Sequence, residues 1–157
     1  MYKVNATATD NASNVGSADS NSFTFDTGDP TGVITDPTNN AYKDETFVNI
    51  TGTASESISS VASVIISIYN TTDGAYWTGT LWQAGVATIS VNGTTSWYYS
   101  DASTFPTFSN GNSYIVNLTV NDSAGNSNTA ADSNTFLYDT GGPTISVSYT
   151  HLRAHET

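Results

Sequence analysis

One stretch of this chain occurs twice, and that constrains it more than any other feature. Tyr2 to Asn14 (YKVNATATDNASN) returns as Tyr114 to Asn126 (YIVNLTVNDSAGN), with 7 of 13 positions identical. Ala18 to Thr31 (ADSNSFTFDTGDPT) returns as Ala131 to Thr144 (ADSNTFLYDTGGPT), with 10 of 14 identical and one extra residue in the loop between. Pro30 maps to Pro143, a period of 113 residues. Recurrence at a fixed spacing is the mark of a chain built from copies of one folding unit. Pro30 to Gly142 is one full unit. Met1 to Asp29 supplies the closing strands of a preceding unit, and Pro143 to Val147 the start of a following one.

Inside the unit, apolar residues recur at every second position. Val48, Ile50, Gly52 and Ala54 share one face of Phe47–Ala54, with Phe47, Asn49 and Thr51 opposite. Val64, Ile66 and Ile68 alternate with Ile65, Ser67 and Tyr69. Tyr114, Val116, Leu118 and Val120 alternate with Ile115, Asn117, Thr119 and Asn121. A two-residue period belongs to half-buried strands. Asp-Gly at 73–74, Asn-Gly at 92–93 and 110–111, and Ser-Ala-Gly-Asn at 123–126 separate the runs with turn chemistry. The expected strands are 32–35, 47–54, 61–69, a hairpin over 76–82, then 87–91, 96–99, 114–121 and 133–139.

Seven or eight short strands in one unit predict an all-β antiparallel sandwich, with a barrel as the alternative. Tyr114 opens the penultimate strand, where such sandwiches often place a corner tyrosine bonded to a nearby carbonyl. Composition agrees. The chain holds 21 Ser, 26 Thr and 16 Asn but only 3 Glu, 2 Lys, 1 Arg and 1 Gln, so strand and turn formers far outnumber helix formers. Nine Tyr, 6 Phe and 3 Trp supply a core that a disordered chain lacks.

The unit resembles a bacterial Ig-like repeat of long surface proteins. The pieces that carry the likeness are PTGVITDPTNNAYKDETFVNITGTASE, TTDGAYWTGTLWQAG, and YIVNLTVNDSAGN with FLYDTGGPT after it. It covers Tyr2 to Val147 and implies an Ig-like antiparallel β-sandwich in tandem repeats. It also implies an extracellular or cell-surface location and a stalk role tied to adhesion. On that likeness the partners are neighbouring repeats of the same chain, with any glycan or protein ligand held by other domains. The first copy departs from the pattern at Ser13, where Gly is usual, which predicts a slightly different turn.

The last ten residues, Ser148 to Thr157, hold both histidines, the one arginine and a glutamate. They resemble a peptide found at broken ends of translated assemblies, where adapter DNA is read as coding sequence, and are set aside as non-native. Met1 runs straight into a strand pattern with no leader segment, as a fragment of a longer protein would.

Charge and chemistry narrow the function. Fourteen acids against 3 bases give a formal net charge of −11, a poor match for nucleic acid. No apolar run is long enough for a membrane helix. Without Cys, and without His outside the tail, neither a Ser-His nor a Cys-His pair can be built, and the 13 remaining acids lie singly in turns. The expectation is a non-enzyme with no required cofactor.

Two binding readings stay open. In the Ig-type arrangement that the resemblance implies, Asp26 and Asp29 from the linker, Glu56 from the B–C loop and Asp122 from the F–G loop gather at the junction between units. Oxygen ligands of that kind suit Ca2+. Against this, Asp10 and Asp122 precede tight turns that they would cap, and Asp29 becomes Gly142 at the second junction. Separately, Trp77, Trp82, Trp97, Tyr98 and Tyr99 could stack on sugars, which makes a carbohydrate-binding module the rival function. Core or hairpin packing is the stronger reading of the same rings, with Trp97 and Tyr99 pointing one way and Tyr98 the other. Seven Asn-x-Ser/Thr sites barely exceed what so many Asn, Ser and Thr give by chance, so no glycosylation is read from them.

Overall fold

A computed structural model describes residues 1–100 and 103–148, so the set-aside tail lies outside the described residues except for Ser148. The described chain is all-β and contains no helix. A short hairpin comes first, β1 (Tyr2–Ala6) with β2 (Asp19–Phe23). Ten strands follow: β3 (Thr31–Asp36), β4 (Ala41–Lys43), β5 (Ile50–Ser55), β6 (Val61–Asn70) and β7 (Ala75–Trp77), then β8 (Trp82–Gln83), β9 (Ile89–Ser90), β10 (Ser96–Tyr99), β11 (Ser113–Asp122) and β12 (Ser127–Tyr138).

The ten strands form two layers. One sheet has the order β10-β5-β3; the other runs β4-β12-β11-β6-β7-β8, with β9 also paired to β6. Every pairing is antiparallel except β12 with β4. The core lies between the layers. Val64, Ile66 and Ile68 of β6 and Tyr114, Val116, Leu118 and Val120 of β11 face Ile34, Ile50, Ala54, Trp97 and Tyr99 of the smaller sheet. Alternate burial along β6 and β11 follows the two-residue period of the sequence.

Four expectations need correction. The strand expected from Phe47 begins at Ile50. Phe47 is buried and Val48 is 61 % exposed, the reverse of simple alternation. Asp44 causes the change: its carboxylate accepts from the backbone N–H and hydroxyl of Thr46, and its carbonyl accepts from the Phe47 N–H. That turn resets side-chain parity before the strand starts. The 87–91 strand shrinks to Ile89–Ser90. β12 starts at Ser127, six residues earlier than expected, because polar SNTAAD reads as loop yet continues the pairing with β11. β4 escapes sequence reading because three residues carry no periodicity.

The extra loop residue of the second copy lies in β12. From Leu118↔Asp132 to Val120↔Asn128, β11 advances two residues and β12 four, a bulge. In the first copy the matching step, from Ala6↔Asp19 to the Gly16–Ala8 bond, is two against three.

Aromatic rings fill the core end where β12 finishes. Phe108 lies within 6.3 Å, centroid to centroid, of Phe47, Trp82, Phe105, Tyr114, Phe136 and Tyr138. Tyr114 is fully buried at this end, but among the described residues its hydroxyl meets no carbonyl as a corner tyrosine would. It accepts the Ser109 N–H at 2.8 Å and lies 3.5 Å from Asn70 Nδ2.

Chain direction through the unit follows from one bond. Asn128 Nδ2, near the start of β12, donates to the carbonyl of Pro30 at the entrance to β3. β12 then runs ten residues on to Tyr138, about 33 Å at strand spacing. The chain therefore enters at one end of the sandwich and leaves at the other.

Candidate functional site

Three of the four residues weighed as calcium ligands line two separate hollows, and Asp122 lines neither. Asp29 and Glu56 line one shallow hollow with Ser55 and Ser57. Asp26 lines another, with Ser59 and Ser123. Among the described residues, no three Asp, Glu or His side chains converge as a metal-holding group.

Three of the four carboxylates also have local work. Asp122, 4 % exposed, accepts the N–H groups of Ala124 and Asn126 on Oδ1 and the Asn126 amide on Oδ2. Burial pushes the Asp122 carboxyl up, but those bonds outweigh it and hold the group below the usual carboxylate range. Glu56 Oε1 accepts the N–H groups of Ser57 and Ile58. Asp26 Oδ1 accepts the Gly28 N–H at 2.9 Å, while its buried Oδ2 has no partner among the described residues. Asp29 is exposed. For Asp26, Glu56 and Asp122 these geometries match turn capping.

The aromatic cluster sits mostly inside. Trp77 and Trp97 are buried and Trp82 is half-buried. Trp77 Nε1 donates to the Tyr99 hydroxyl at 3.0 Å, that hydroxyl donates to Thr104 O at 2.7 Å, and Trp82 Nε1 donates to Thr107 O at 3.1 Å. The polar tips of Trp77, Trp82 and Tyr99 are thus occupied within the protein, whereas the buried Trp97 Nε1 has no hydrogen-bond partner among the described residues. Of the five residues, Tyr98 is the one on the solvent side, at 49 % exposure. The three tryptophans do not form the exposed row that a sugar platform requires.

Lys43 pairs with Asp36 and lies 4.8 Å from the centre of the Phe47 ring.

Sequence reading missed the asparagines. Asn126 locks the β11–β12 turn and also reaches the Asp26 carbonyl at 3.4 Å. Asn134, buried in β12, donates to the carbonyls of Ile34 and Pro37, and Asp132 Oδ2 accepts the Ile34 N–H at 2.7 Å. These bonds tie β12 to the opposite layer. One signal was visible: Asp and Asn recur four residues apart in both copies, at 10 and 14 and at 122 and 126.

Compared with protein-family models and with curated proteins, the chain matches none.

Proposed function

We propose that this chain is part of a non-catalytic spacer built from tandem Ig-like sandwich repeats, a stalk of an extracellular or cell-surface protein with a role in adhesion. The observation that carries the reading is the path of the chain: entry beside the β11–β12 turn and exit at the far end of β12. A unit threaded end to end lengthens a protein by its own height each time it is copied. The first hairpin supports the tandem arrangement. Tyr2, Val4 and Phe23 match Tyr114, Val116 and Phe136, which are fully buried, yet they are 57, 58 and 49 % exposed. An apolar hairpin face of this kind belongs against the remaining strands of a preceding copy. The acidic surface favours solubility and keeps neighbouring stalks apart.

Pulling on the chain from its ends tests the reading. Residues 30–142 should unfold in one event, releasing about 40 nm of chain less the folded length. Saturable binding to a panel of soluble oligosaccharides, abolished by Tyr98→Ala, would instead support the carbohydrate-binding alternative.

A further inference from the structure

Two linker segments in this chain share the sequence Asp-Thr-Gly, at 26–28 and at 139–141. Both fold locally in the same way. Asp26 Oδ1 accepts the Gly28 N–H at 2.9 Å, and Asp139 Oδ1 accepts the Gly141 N–H at 2.8 Å. Their surroundings differ. Asp26 is 9 % exposed, whereas Asp139 is open to solvent.

What covers Asp26 is the entry end of the unit that follows it. Ile58 and Ser59 from the β5–β6 loop and Ser123 and Ala124 from the β11–β12 turn close around Thr24 and Asp26. They leave a hollow of about 230 Å³. Asn126, held in place by its clasp on Asp122, donates to the Asp26 carbonyl.

We infer that Asp-Thr-Gly and the entry end are the two halves of a repeat-to-repeat joint, and that Asp139–Gly141 is the seat for the entry end of a following copy of this repeat. The inference rests on the tandem-repeat reading. Each unit carries both halves, one at either end, so the contact is heterologous and propagates along a line. A seated linker removes swivel between neighbours and sets one fixed turn per repeat. The exposure of Asp139 is what such a partner would remove.

The chain has no cysteine, so paired labels can be placed cleanly. Spin labels at Thr27→Cys and Thr53→Cys in the full chain should give one narrow distance distribution. Ser59→Trp, at an exposed position, should broaden it without lowering the melting temperature of the unit, and Asp26→Ala should broaden it too. A broad distribution in the parent chain would overturn the joint. In a chain with residues 30–142 repeated after Gly142, the Gly141 amide should exchange at least tenfold more slowly than in the single chain. Unchanged exchange there would overturn the inference for Asp139. Two separate unfolding events with freely swivelling linkers would refute the joint and leave the spacer reading standing, whereas oligosaccharide binding would sink the spacer and leave the joint untouched.

Discussion

Ser13 and Gly125 occupy the same left-handed corner of two matching turns, at φ 71° and 98°. The Asp–Asn clasp is the same in both, while the Ser13 N–H also donates to the Asp10 carbonyl, a bond without a counterpart at Gly125. Asp10 accepts the N–H groups of Ala12 and Asn14 at 2.9 and 2.8 Å, as Asp122 does those of Ala124 and Asn126 at 2.9 and 2.8 Å. Asn14 and Asn126 both return a side-chain amide to the Asp Oδ2. The slight difference expected at Ser13 is confined to that corner, in its φ and in the extra Ser13 bond: the clasp holds the rest, and serine is carried into a backbone conformation that glycine adopts freely.

That comparison sets the first prediction. Gly125→Ala has open space for its Cβ, so its cost is the backbone strain alone, about 1–2 kcal/mol. Urea unfolding of the chain should show a lowered midpoint with an unchanged slope. Ser13→Gly should relax the first turn and leave the unit's transition where it was.

Gly52 is a glycine for a different reason. A Cβ there would come within 2.2 Å of Trp97 Cζ2 and of the Val33 carbonyl. Neither can retreat, since Trp97 is 1 % exposed and Val33 is paired in β3. Gly52→Ala should cost about 3 kcal/mol by overpacking, and near-ultraviolet circular dichroism should report disturbed tryptophan packing.

Tyr114→Phe removes the hydroxyl that accepts the Ser109 N–H and faces Asn70. The expected loss is about 1–2 kcal/mol, because a partly buried donor is left without its partner. Thermal melts of the parent and the variant measure it. An unchanged transition would mean water takes over the bond.

Acid should weaken the β11–β12 clasp. Asp122 is held below its ordinary value of 3.8, so its charged form stabilises the fold. That contribution is complete above the unfolded value and disappears as pH falls through the lower folded one. Asp10 and Asp44 shift the same way, but at the surface, where solvent damps the effect. Stability measured by urea unfolding should fall below about pH 4, and Asp122→Asn should flatten the slope.

The scattered placement of Asp26, Asp29, Glu56 and Asp122 predicts that calcium and a chelator give the same melting temperature. A rise with millimolar calcium, lost in Asp26→Asn, would show that these side chains gather on a cation after all.

Two-residue periodicity made β6, β10 and β11 legible, and with them Val64, Ile66, Ile68, Trp97 and Tyr99 as core, because alternation maps directly onto the two faces of a strand. The repeat made Asp10 and Asp122 recognisable as caps of matching turns, though not the part that Asn14 and Asn126 play in them. The rest depended on partners distant in sequence. Whether polar SNTAAD is loop or strand was decided by pairing with β11, and whether Phe47 or Val48 points inward was decided by the Asp44 turn. The burial of Asp26 against a turn 100 residues away, and the reach of Asn134 across the layers, arise only when the sheets close. Local pattern encodes which face a side chain takes. Long-range contact selects what that side chain meets, because hydrogen bonds between distant segments leave no period in the chain.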